Sequence, residues 1–164
     1  RKGAITHKDS LGNEGRTGAG DVQVMSAGTG VRHAEYNLES EQTTIFQIWI
    51  EPSRTGGSPS WGAKPFPKDD RSGQFVTLAS GFSEDKDALP IRAEARVLAA
   101  MVRAGETITH EVLPGRHAYL VPATGLIQIE GETFKARDGA AIDGGQTVTI
   151  TALEDAELVL VDSQ

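Results

Sequence analysis

The sequence predicts an all-β protein, and three observations carry that prediction. Nineteen glycines and seven prolines are scattered through the 164 residues, punctuating runs of about five to eight residues rich in Val, Ile, Thr and aromatics, the pattern of many short strands. The runs recur roughly every ten residues, which suits a sandwich or a barrel. Only residues 93–104 have apolar positions compatible with a helical period as well, and they read as strand.

Taken in order, residues 3–8 (G-A-I-T-H-K) alternate behind a glycine and lead into a turn at L-G-N. Residues 21–26 enter from Gly20-Asp21, and residues 31–36 follow a tight reversal that Ala27, Gly28 and Gly30 permit. Residues 44–51 (T-I-F-Q-I-W-I-E) have strong strand character. Between 52 and 73 the composition turns to Pro, Gly, Ser, Lys and Asp, which predicts an interdomain connection without packed strands, pinned to a domain surface by Trp61 and Phe66. Beyond it, strands are expected at 75–79, 95–102, 107–113, 117–121, 126–130, 133–136, 148–151 and 157–161. The expected organisation is one unit in 1–53, a linker in 54–74 and a second unit in 75–164.

The two halves resemble each other. Gly3-Ala4-Ile5 parallels Gly125-Leu126-Ile127, Gly20-Asp21-Val22 parallels Asp138-Gly139-Ala140, and the strand at 45–50 parallels the one at 157–161. The second half has three further strands before Gly125, between Ala95 and Val121, with no counterpart before Gly3. On this comparison the first unit is expected to lack its opening strands, and the start at Arg1-Lys2, without Met or an apolar signal core, looks cut.

Charge and composition exclude several functions. A net charge of −7 with a pI near 5.1 provides no global positive field for a nucleic-acid backbone. The absence of cysteine removes disulfides, thiol nucleophiles and iron–sulfur clusters, so any metal must rest on His, Asp or Glu. Apolar stretches such as 158–161 are strand-sized, far from the roughly 20 residues of a membrane helix. A cytoplasmic protein is expected.

Of the four histidines, His33 stands out because Glu35 lies two positions on, which puts both side chains on one face of a strand. Such an imidazole–carboxylate pair supplies two ligands of an open divalent-metal site, or forms a hydrogen-bonded pair facing solvent. His7 is expected to border the turn at 11–13. His110 and Glu111 are adjacent and face opposite ways, and His117 follows the Pro114-Gly115 turn, so no second metal site is expected. Neither a G-x-S-x-G elbow nor a phosphate-binding Gly-Lys-Ser/Thr loop is present.

The blocks H-K-D-S-L-G-N, G-D-V-Q-V-M-S-A-G-T-G-V-R-H-A-E-Y-N and Q-I-W-I, in that order between His7 and Ile50, resemble the pirin family of bicupins, which includes quercetin 2,3-dioxygenases. The resemblance implies two cupin β-barrels, the first incomplete at its N-terminus. It also implies one divalent metal, iron in the family's usual reading, held by three His and one Glu. His33 then matches the third His, and Glu35 the carboxylate and catalytic proton acceptor; His7 matches a position that is not a ligand. The other two His belong to an H-x-H block that this sequence does not contain. The implied activity is dioxygenation of a small flavonol-like substrate, with the chain alone nearly inactive. A metal-dependent regulatory module that binds a protein partner is the alternative. The exposed strands are expected to be covered by an N-terminal piece or another subunit.

Overall fold

The computed structural model describes residues 2–164. The chain forms β1 (Ala4–Asp9), β2 (Glu14–Gly18), β3 (Val22–Ser26), β4 (His33–Tyr36) and β5 (Ser60–Lys64) before a 3₁₀ turn at Lys68–Arg71. There follow β6 (Val76–Ser80), β7 (Leu89–Pro90), β8 (Ala95–Val102), β9 (Thr107–Val112) and β10 (His117–Thr124). The last strands are β11 (Leu126–Ile129), β12 (Glu132–Lys135), β13 (Ala140–Asp143), β14 (Gln146–Ala152) and β15 (Ala156–Ser163). The all-β expectation holds, and 95–102 is a strand.

Two compact units result: residues 1–67 with 89–93, and residues 68–88 with 94–164. In the second unit one sheet runs β13-β10-β15-β8-β6 and the other β12-β11-β14-β9. Alternation along β14 turns Val148, Ile150 and Ala152 inward, and alternation along β15 turns Leu158 and Leu160 inward. With Leu120 and Ile127 they form one dry core, each large side chain contributing about 1.5–3 kcal/mol of apolar burial. At the N-terminal end of β15 the buried Glu157 receives Lys68 Nζ at 2.8 Å and Arg71 at 3.4 Å. These bonds tie the 3₁₀ turn to the sheet.

The first unit holds a three-stranded antiparallel sheet, β2-β1-β4, and a two-stranded ribbon, β3-β5. Among the described residues these strands do not close into a barrel. Two local expectations are corrected here. Residues 44–51 are not a strand: Thr44 exchanges backbone hydrogen bonds with Lys2 (3.1 and 3.0 Å), but 45–51 joins no ladder among the described residues. Its residues have strand composition, yet pairing needs a neighbour as well as a propensity.

The second correction concerns 54–74, which is not a strand-free connection. It contains β5, paired antiparallel with β3 from Val22↔Lys64 to Ser26↔Ser60. Glycines make this possible, because a Cβ on Gly28 would stand 2.3 Å from the Gly57 carbonyl, which accepts a 2.9 Å hydrogen bond from Thr29 N–H. The division between units therefore falls after Pro67, and 89–93 belongs with the first unit.

Candidate functional site

The site is built on the β2-β1-β4 sheet. Antiparallel register sets His7 opposite Gly15 on one side and Glu35 on the other, with Asp9 opposite His33 one step along. Directly opposed residues share a face, as do residues two apart on a strand, so His7, Asp9, His33 and Glu35 all project from the same side. The expected same-face pairing of His33 and Glu35 is what this register places on β4.

The β3–β5 ribbon covers that face. Trp61 on β5 stacks on His7 with ring centroids 4.9 Å apart and planes 10° apart, and His33 stacks on His7 at 5.6 Å. Gly15 makes room for the indole, since a Cβ there would stand 2.3 Å from Trp61 Cη2. Gln23 on β3 donates from Nε2 to Glu35 Oε1, and its own Oε1 accepts from the Thr17 hydroxyl at 3.1 Å.

His7 is fully buried, and its role differs from that of the turn-bordering residue expected from sequence. The turn is bound by Asp9, whose Oδ1 accepts the Leu11 and Asn13 amides at 2.9 and 3.0 Å. Asp9 Oδ2 accepts from Asn13 Nδ2 at 2.9 Å and from His7 Nε2 at 3.1 Å. Burial opposes the Asp9 charge, but hydrogen bonds from the Asn13 and His7 side chains and the two amides outweigh it and hold its carboxyl well below the ordinary carboxylate range. His7 Nδ1 lies 3.8 Å from Glu35 Oε1 and is buried without a hydrogen-bond partner; Trp61 Nε1 is in the same condition. Orphaned buried polar atoms are rare and mark places where a ligand, an ion or a water belongs.

The second unit supplies an internal control. Gly3 and Gly125 both have positive φ, +68° and +80°, and both open a central strand. The residue before each glycine pairs across, Lys2 with Thr44 and Thr124 with Glu157. Aligned on these glycines, β1 matches β11, and the pair His7↔Glu35 matches Ile129↔Ile150. His33 then falls on Val148, two residues before Ile150. The second unit fills these three positions with buried aliphatic side chains; the first carries two imidazoles and a carboxylate there.

Among the described residues no group of three or more His, Asp or Glu is arranged to hold a metal ion alone. His33 and Glu35 nonetheless form a nitrogen–oxygen donor pair that suits a divalent first-row metal as two of its ligands, beside an orphaned imidazole nitrogen. In the second unit His110 turns inward, and its Nε2 lies 3.0 Å from Asp162, which also binds Arg116 at 2.6 Å. His117 is exposed and 3.3 Å from Asp143. Sequence reasoning did not bring His7 or Trp61 to the site; the i, i+2 spacing of His7 and Asp9 was the one available signal for His7.

Comparison with known proteins agrees with this architecture. Residues 1–50 match the family model described as Pirin, and residues 77–163 the one described as Quercetinase C-terminal cupin domain. A pirin-like protein of Caulobacter vibrioides is 68% identical over 163 residues, spanning 99% of this chain and 70% of that protein. The quercetin 2,3-dioxygenase of Escherichia coli K12 is 32% identical over 162 residues, spanning 98% of this chain and 68% of that enzyme. The crystal structure of the bacterial pirin YhhW from Escherichia coli in complex with nickel(II) superposes with a TM-score of 0.89 at 31% identity, over 99% of this chain and 69% of that one. With family models matched in both units and this degree of identity to its relatives, the chain belongs to the pirin family of cupin proteins.

Proposed function

We propose that the first unit is a divalent-metal centre in which His33 and Glu35 are ligands, and that the protein acts as a dioxygenase of flavonol-like substrates. The observation that carries this reading is the internal control: two histidines and a glutamate occupy positions that the sister unit fills with Ile129, Val148 and Ile150. At the buried His7 position stability alone favours an aliphatic side chain. The bound metal, iron or another first-row ion, would supply Lewis acidity and a template for an enediol or ketol oxygen. Support also comes from the nickel(II) complex of YhhW and from the name of the Escherichia coli enzyme.

The chain's own residues have separable tasks. His33 offers a neutral nitrogen, and Glu35 offers an oxygen that also takes the proton of a substrate hydroxyl. Trp61 stacks on His7 and closes the buried side of the site. The remaining ligands come from donors other than this pair, so the chain alone binds metal weakly. Metal content of the full-length protein after dialysis tests the assignment. His33→Ala and Glu35→Gln should lose bound metal while His110→Ala retains it, and oxygen uptake with quercetin by the full-length protein should fall in the first two. Equal metal in the parent and in His33→Ala would sink the assignment.

A specific observation supports a protein-covered surface as well. Leu38 and Trp49 are 71% and 87% exposed, and Ile45 and Ile48 are also exposed. In the second unit the strand equivalent to 44–51 is β15, which is paired by β10. By that likeness, 45–51 takes a strand from the additional length of the relatives or from another subunit. A metal-dependent change in partner binding, without oxygen uptake, would favour the regulatory alternative.

A further inference from the structure

Among the described residues, Glu35 is held through one oxygen. Gln23 Nε2 donates to Oε1, and Gln23 is in turn oriented by the Thr17 hydroxyl. The His7 ring, bound at Nε2 by Asp9 and covered on one face by Trp61, stands beside that oxygen, but its Nδ1 is 3.8 Å away and makes no hydrogen bond to it.

We propose that Gln23 is the positioning residue of Glu35, fixing Oε1 so that Oε2 is the oxygen presented to a divalent cation. The inference rests on the metal reading above and deepens it. A ligating carboxylate that is free to rotate offers either oxygen or both, whereas one gripped at Oε1 offers a single donor in a fixed direction. Outer residues of this kind typically change metal affinity by about tenfold to a hundredfold when removed. Thr17 belongs to the same device one step further out, since its hydroxyl orients the Gln23 amide.

The test uses the chain titrated with Ni(II), followed by calorimetry and by paramagnetic broadening of histidine ring protons, which reads weak binding too. Gln23→Met keeps the length and removes the donor. It should weaken Ni(II) binding about tenfold or more and alter the visible absorption of the bound ion, with the melting temperature recorded alongside. Parent-like affinity and absorption in Gln23→Met, with His33→Ala impaired, would overturn the positioning role alone. Unchanged binding in His33→Ala and Glu35→Gln would overturn the metal reading and this inference with it. If Gln23→Met fails to fold, Thr17→Val, which removes the hydroxyl that orients the Gln23 amide, decides the matter.

Discussion

Substitution of Gly15 by alanine isolates the packing on which the site depends. A Cβ at Gly15 would stand 2.3 Å from Trp61 Cη2, 3.0 Å from Cζ2 and 3.3 Å from Cζ3, so the indole must move. It cannot move freely, because it is stacked on His7 at 4.9 Å and belongs to a strand registered against β3. Gly15 is not among the residues with positive φ, so the change adds no backbone strain, and the lower entropy of the unfolded chain favours alanine by about 0.4–1 kcal/mol. Against that, overpacking costs about 1–3 kcal/mol and a weakened aromatic stack about 0.5–1.5 kcal/mol. The net expectation is a destabilisation of about 0.5–4 kcal/mol, at about 2–4 °C of melting temperature for each kcal/mol in a chain of this size. Urea unfolding followed by tryptophan fluorescence measures it. Trp49 is already exposed, so a rise in acrylamide quenching reports Trp61. The double variant Gly15→Ala with Trp61→Phe should be less destabilised than the sum of the single changes. An unchanged urea midpoint and unchanged quenching in Gly15→Ala would refute the stacking argument.

The other expectations are independent of it. The folded-state pKa of Asp9 lies below its unfolded value, so its contribution is present above about pH 4 and is lost as the pH falls below that; urea midpoints between pH 2 and 6 should fall less steeply for Asp9→Asn than for the parent. Glu157→Gln deprives the buried Arg71 and the partly exposed Lys68 of their carboxylate and should cost about 3 kcal/mol, read as a lower melting temperature. Ile150→Ala removes a fully buried core side chain and should cost about 2–5 kcal/mol by chemical denaturation. Leu38→Ala, at an exposed position, should stay within about 0.5 kcal/mol of the parent.

Much of the fold was legible because alternation and glycine punctuation are local signals. Residues 95–102 and 126–129 read as strands from their own composition, and both are strands. The errors share a cause that no local pattern reveals. Residues 44–51 have strand composition, but strand formation needs a partner. Residues 60–64 (S-W-G-A-K) have loop composition, yet β3 offers them an edge, and Trp61 finds a flat aromatic surface to cover. In both cases the deciding term was supplied by residues far along the chain, which is the usual way tertiary context overrides propensity.

The candidate site divides along the same line. The period of two placed His33 and Glu35 together from sequence, because that relation lies within one strand. His7 is 26 residues before His33 and Gln23 is 12 before Glu35, so their convergence on one carboxylate depends on cross-strand register and on the fold of the ribbon. The internal duplication brings that register nearer to the sequence. Once Gly3 is aligned with Gly125, the pairing Ile129↔Ile150 in the sister unit locates His7 against Glu35, and the exchange of aliphatic for ionisable side chains is what sets the two units apart. A polar side chain at a position where its own duplicate is apolar core is costly to keep. The first unit bears that cost at the buried His7, beside which His33 and Glu35 stand exposed on adjacent strands and a single face, and this grouping is why the proposed metal centre is set in the first unit and not in the second.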